Sequence, residues 1–321
     1  MKFGTLQATA VNLNTGGLFS TECIPCAMRQ AIRLSRMCAA TNEAERTIVQ
    51  QVMENCSSAA TDWNSKGCTS QMISDVYRIT SSELLSPDPF HAAKKESNAL
   101  AKGIAAKLSR ENDASHAGKP KERLYHAMRM AVIGNFIDFG ALSLNDISDG
   151  SLETLLDEMT LKHDEFERLW TDLSEATSLL YLFDNSGEVY LDMYALRVLA
   201  EVFPNISSFT LGLKHGPLIN DVTMSDIPEL GLDSLDLGDA DVRFIGFGTP
   251  EHGQWPHCQD EDVHELFRAH DVTISKGQGN YEALGPFGFG AYYLLVLKCP
   301  IVADLMGLSD VGVGDGVIVN Q

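Results

Sequence analysis

Apolar side chains recur at three- and four-residue spacing through most of the first 150 residues, from Ala27 to Met37, from Glu43 to Asn55, from Ala92 to about Arg110 and from Lys121 to Met130. Such spacing gives a helix one apolar stripe to bury. Thr21 is placed to cap the first helix, with Pro25 in its opening turn, where a missing N–H is no loss. Asp88-Pro89-Phe90 starts a later one, and a polar loop with Asn112, Gly118 and Pro120 ends it. The stretch from Ala131 to Gly140 is apolar with polar residues inserted, which predicts a buried segment bringing Asn135 and Asp138 to a site.

After a helix expected around His163 to Leu173, the pattern turns to short apolar runs alternating with helical ones. Leu179-Leu180-Tyr181-Leu182-Phe183 is apolar at every position and reads as a strand buried on both faces, as in a parallel sheet. Further strands are expected at Ser208–Leu213, Val242–Phe247, Val272–Ser275, Tyr292–Leu297 and Val317–Val319. Helices are expected between them near Val189–Phe203, Asp260–Ala269 and Ile301–Leu305. Alternation of this kind defines the α/β class, a largely parallel sheet with helices on its faces. A helical region over 1–150 and an α/β region over 151–321 follow, with no Pro- or Gly-marked linker between them, so one folded unit is expected.

Composition narrows the partners. A formal charge of −20, from 24 Lys and Arg against 44 Asp and Glu, lacks the basic footprint that nucleic acid or an anionic membrane requires. No apolar run reaches the ~18 residues of a spanning helix, and the opening residues lack a signal-like core, so a cytoplasmic location is expected. Seven cysteines, five of them before residue 70, do not make a complete disulfide framework.

Three of the expected strands end in polar residues of one kind. The first runs into Asp184-Asn185-Ser186-Gly187-Glu188, the second into Lys214 and then Asn220-Asp221, the third into Ser275-Lys276-Gly277-Gln278-Gly279-Asn280-Tyr281-Glu282. Parallel strands bring these tips to one edge of the sheet, where α/β crevices bind ligands. Carboxylates with an amide suit a hard, oxygen-seeking divalent cation better than zinc. Lys276 offers charge to a phosphate, and Gly277 and Gly279 allow backbone N–H groups to approach it. The combination fits phosphate-ester hydrolysis, in which a cation offsets charge on the phosphoryl group.

These motifs, with Cys23-x-x-Cys26 and Gln30, Asp88-Pro89-Phe90, Gly134-Asn135-Phe136-Ile137-Asp138, Pro217 to Thr223 and Leu297-Lys298-Cys299, resemble those of the domain-of-unknown-function 89 family of metal-dependent damage-control phosphatases. The cysteine pair is similar to that of its stand-alone prokaryotic subfamily. The resemblance implies a helical N-terminal part on a three-layer α/β/α sandwich and one divalent cation, Mn, Co, Ni or Mg, held by Asp184, Asn185 and Asp221. It implies Asp184 as nucleophile or base, and Lys276 as the contact to the phosphate of a sugar phosphate or damaged phosphometabolite. Gly277, Gly279, Asn280, Asn135 and Asp138 are the further substrate-binding candidates. Cys23 and Cys26 fit a second metal, a redox pair or plain packing.

Other readings remain open at this level. A haloacid-dehalogenase-like enzyme needs a second aspartate where Ser186 stands. A non-catalytic metal or redox sensor would work through Cys23 and Cys26. A carboxyl methyltransferase activity has also been claimed in the family, and no Gly-x-Gly-x-x-Gly turn after a strand supports it here.

Overall fold

The computed structural model describes residues 20–38, 40–61, 69–134, 156, 161–248 and 261–321. Its helical beginning comprises α1 (Cys23–Met37), α2 (Asn42–Thr61), α3 (Thr69–Glu83), α4 (His91–Ser115) and α5 (Pro120–Gly134). Strand and helix then alternate through β1 (Leu161–Asp164), α6 (Phe166–Glu175), β2 (Ser178–Leu182), α7 (Val189–Val202) and β3 (Ser208–Lys214). A short α8 (Ile227–Leu230) precedes β4 (Asp241–Phe247). The chain continues through α9 (Glu261–Arg268), β5 (Val272–Lys276), α10 (Gln278–Leu284), β6 (Tyr292–Val296), α11 (Pro300–Leu305) and β7 (Gly316–Asn320).

The strands form one seven-stranded sheet in the order β1-β7-β6-β5-β2-β3-β4. Every pairing is parallel except β6 with β7. The double-sided burial expected of the central run is realised in β2. Leu179 and Tyr181 enter a core with α4, α5, α6 and α7 on one face, while Leu180 and Leu182 enter a core with α9, α10 and α11 on the other. Each fully buried side chain of this size is worth ~1.5–3 kcal/mol against exposure, so the sheet and its two helical layers are held mainly through β2 and its neighbours.

Two expectations are corrected. The segment around His163 is a strand, not the start of a helix, and the helix begins at Phe166, whose N–H is capped by Asp164 Oδ1 at 2.9 Å. Asn112 lies inside α4 rather than in a loop, buried with its amide donating to Arg123 O and Tyr194 Oη. At the chain's start, Glu22 takes the N-cap position of α1 without a side-chain cap bond, and Ile24 N–H bonds the backbone oxygen of Thr21.

α1, α2 and α3 enclose a cluster of their own with Phe90, and Leu218 and Ile219 of the loop after β3 pack against it. α4 and α5 share the sheet's core. No helix among the described residues is long and apolar enough to cross a membrane.

Candidate active site

From β2 the chain builds outward to β3 and β4, then returns to lay β5 against the opposite edge of β2. A crevice opens beyond the carboxyl ends of strands where the order reverses in this way. The three motif-bearing strands are therefore neighbours, with Leu182 in register with Gly212 on one side and Ser275 on the other.

The first two loops are zipped together by their backbones. Val222 N–H donates to Asp184 O at 2.8 Å, Ser186 N–H to Asn220 O at 2.8 Å, and Asn185 and Asp221 form an antiparallel bridge. Asp184, Asn185 and Asp221 are thereby brought together, all buried. The Asn185 amide nitrogen donates to Asp184 Oδ2 at 2.7 Å and to Glu188 Oε1 at 2.9 Å, and Glu188 Oε1 also accepts the Asn185 N–H at 3.0 Å. This fixes the amide in one orientation. Burial raises the Asp184 carboxyl well above its ordinary pKa, and the carboxylates of Glu188 and Asp221 add to the effect, while Lys298 and Lys214 oppose it.

Gly277 closes the third side. Its φ of +80° is one that L side chains rarely adopt, and a Cβ there would lie 1.8 Å from Asp184 Oδ2. Its N–H, expected to reach a phosphate, donates instead to Leu294 O at 3.0 Å. The glycine makes room for the Asp184 carboxylate. Gly134, at the end of α5, does the same for the first loop, since a Cβ there would lie 2.8 Å from Glu188 Cβ.

Lys276 ends β5 with a side chain of 0% exposure. Its ammonium, expected to meet substrate phosphate, donates to Asp192 Oδ1 at 2.7 Å and Glu188 Oε2 at 3.0 Å. Burial alone lowers its pKa, but the two carboxylates outweigh that and raise it overall, so the lysine stays charged. Tyr181 Oη donates to the same Asp192 oxygen at 2.8 Å. Burial raises the Asp192 carboxyl, and Lys276 restrains the rise. Lys276 thus braces the acids from beneath the crevice.

Asn280, expected at the substrate, spends its amide on the strand tips. Nδ2 donates to Phe183 O at 3.0 Å and Lys276 O at 2.9 Å, and Oδ1 accepts Lys214 Nζ at 2.7 Å. Lys214 also stands 3.6 Å from Asp221 Oδ2. Gly279 lies in the first turn of α10 with open space where a Cβ would sit. Asn135 and Asp138 lie outside the described residues.

Cys23 and Cys26 lie in the first turn of α1, Cys23 buried and accepting the Ser20 N–H at 3.4 Å, Cys26 half-buried. Burial, and secondarily Glu282, raises the Cys26 pKa, which disfavours the thiolate that metal binding and disulfide exchange both need. Among the described residues, no three His, Cys, Asp or Glu side chains are grouped to hold a metal ion.

Three buried residues escaped the sequence reading. Asp192 is the fourth residue after Glu188, so both carboxylates share one face of the chain entering α7, a spacing that a helical reading contains. Lys94 donates to Asp226 Oδ2 at 2.7 Å in the second loop, and Asn98 Oδ1 accepts Gly187 N–H at 2.7 Å in the first. On a helix such polar residues ordinarily signal a solvated face, so nothing in their spacing distinguishes them.

A mostly parallel α/β sheet whose order-reversal crevice gathers acids, an amide and lysines places the chain among α/β enzymes with a polar site at the strand ends. The model of the damage-control phosphatase ARMT1-like domain matches residues 19–313, and the chain belongs to that family. It is 28% identical over 284 residues to the damage-control phosphatase PH1575 of Pyrococcus horikoshii, covering 88% of this chain and 92% of that protein. It is 27% identical over 308 residues to the uncharacterized protein MJ0202 of Methanocaldococcus jannaschii, covering 94% of each. The crystal structure of the DUF89 family protein from Pyrococcus horikoshii superposes with a TM-score of 0.73 at 26% identity, covering 94% of this chain and 98% of that one.

Proposed function

We propose that the chain hydrolyses the phosphate ester of a small phosphorylated metabolite, a sugar phosphate or damaged phosphometabolite, with one divalent cation of the Mn, Co, Ni or Mg kind. The observation that carries this reading is the burial of Asp184 beside Glu188 and Asp221, which leaves negative charge crowded at a strand-end crevice. Acids in that state favour either protons or a cation, and the oxygen donors suit a hard one. Asp184, Asn185 and Asp221 would hold it, with water completing a shell that side chains alone do not fill, as magnesium-like ions prefer. The cation would polarise a phosphoryl oxygen and offset charge developing in the transition state.

The chain's own groups do the rest. Lys214 and Lys298, the cations acting on Asp184, are the phosphate contacts this reading favours, while Lys276 pairs with Glu188 and Asp192 and Glu188 orients Asn185. Asp184 would serve the reacting phosphoryl group as nucleophile or base as well as holding the cation. Cys23 and Cys26 take a packing role, and their subfamily signature has no part in the chemistry.

The test is a phosphate-release screen over sugar phosphates with Mn²⁺, Co²⁺, Ni²⁺ and Mg²⁺. Turnover is expected with at least one cation, abolished by EDTA, and reduced at least ~100-fold in D184A with folding intact. Full activity of D184A would overturn the assignment, and stoichiometric metal at Cys23 and Cys26 without turnover would favour the sensor.

A further inference from the structure

α4 reaches across from the helical region and grips both acidic loops with one face. Lys94 and Asn98 are one turn apart on it and nearly fully buried, at 3% and 8% exposure. Asn98 Oδ1 takes the Gly187 N–H in the turn that follows Asp184 and Asn185. Lys94 Nζ bonds Asp226 Oδ2 at 2.7 Å and lies 3.5 Å from Asp88 Oδ2. Asp226 in turn accepts the Thr223 N–H and hydroxyl at 2.9 and 2.8 Å, two residues beyond Asp221. One rigid helix therefore ties the loop carrying Asp184 and Asn185 to the loop carrying Asp221.

This tie adds to the backbone bonds that already join the two loops directly. Ile219 has φ +48°, an unfavourable conformation for a β-branched residue, and its side chain packs against the cluster of α1, α2 and α3. Backbone in such a state persists only where its surroundings over-determine it. A loop set this way, two residues before Asp221, holds its spacing through the backbone bonds to the first loop and the side chains packed behind it, not by its own local preference.

We propose that Lys94 and Asn98 are positioning residues that hold the two acidic loops at the separation which binds the divalent cation. The inference rests on the cation site proposed above. Neither side chain touches the cation. Groups that orient metal ligands from outside typically govern ~10–100-fold in metal affinity. A simple field effect has the opposite sign for Lys94, because removing a positive charge near an acidic site strengthens cation binding.

The experiment titrates Mn²⁺ alone into the metal-free full chain by calorimetry, for the wild type, N98A, K94M and K95A, with thermal unfolding recorded for each. Lys95 is the neighbouring residue on α4, largely exposed, and its pair with the half-exposed Glu229 of α8 bonds neither acidic loop. N98A and K94M are expected to bind Mn²⁺ at least ~10-fold more weakly while still folded, and K95A to match the wild type. Phosphate release at saturating Mn²⁺ should recover toward the wild-type kcat. Unchanged Mn²⁺ affinity in folded N98A, or tighter binding in K94M, would overturn the inference while leaving the phosphatase reading intact. A wild type that binds no Mn²⁺ would overturn the cation site itself, and this inference with it.

Discussion

Gly277 shows how little space the site leaves at the level of one residue. Its positive φ and the missing Cβ allow β5 to end against the Asp184 carboxylate. Any side chain must displace the acid, the backbone or both. G277A is therefore expected to lose ~1–3 kcal/mol of stability from backbone strain. Its phosphate release should fall at least ~100-fold, because about 1 Å of misplacement at a reacting group costs that much. Urea unfolding and a steady-state assay separate the two losses. Lys276 carries a different lesson. A lysine at a strand tip among glycines looks like a phosphate ligand, yet its ammonium is committed to Glu188 and Asp192. That preference was not legible locally, because one of its partners lies in α7, and only tertiary packing brings α7 beneath β5.

At the scale of elements, the clearest signals came from strands buried on both faces, though the half-exposed edge strand β4 was also legible. β2, β3 and β5 announce themselves as apolar runs cut short by polar residues, and Asp184, Asn185 and Asp221 follow from where those runs stop. β1 escaped because Leu-Lys-His-Asp contains a single apolar residue and pairs only at the edge of the sheet, with β7. α3 carried no clear start signal, and several of its Ser and Thr residues favour turns in isolation, although Thr80 here bonds back to Val76 O at 2.8 Å. The outer joint of β3, β4 and α9 makes a prediction. His270 donates through Nδ1 to Leu266 O at 2.7 Å and accepts Thr210 Oγ1 at Nε2, also at 2.7 Å, with Arg243 alongside. This is the neutral imidazole, and burial, with Arg243 adding to it, lowers its pKa. The unfolded chain then takes up a proton that the folded chain refuses, so this joint loses stability as pH falls through about 6.5. Urea midpoints for H270Q should decline less between about pH 7.5 and 5.5 than those of the wild type. Equal declines would remove His270 from the account.

Over the whole molecule, a charge of −20 surrounds a crevice proposed to take both a cation and an anion. Long-range attraction assists the first and opposes the second. Added salt screens both. Mn²⁺ affinity is therefore expected to fall as KCl rises from roughly 20 to 200 mM, while kcat/KM for a phosphate ester at saturating Mn²⁺ rises. A decline in both would mean that the local lysines, not the global field, govern substrate approach.

The pairing of β2 with β5 joins positions about ninety residues apart, Leu179 with Val272. Contacts so distant along the chain close slowly, after local helices have formed. Asp184 can meet Gly277 only when that closure is complete. A chain still emerging from the ribosome thus carries its acids well before the glycine that makes room for Asp184.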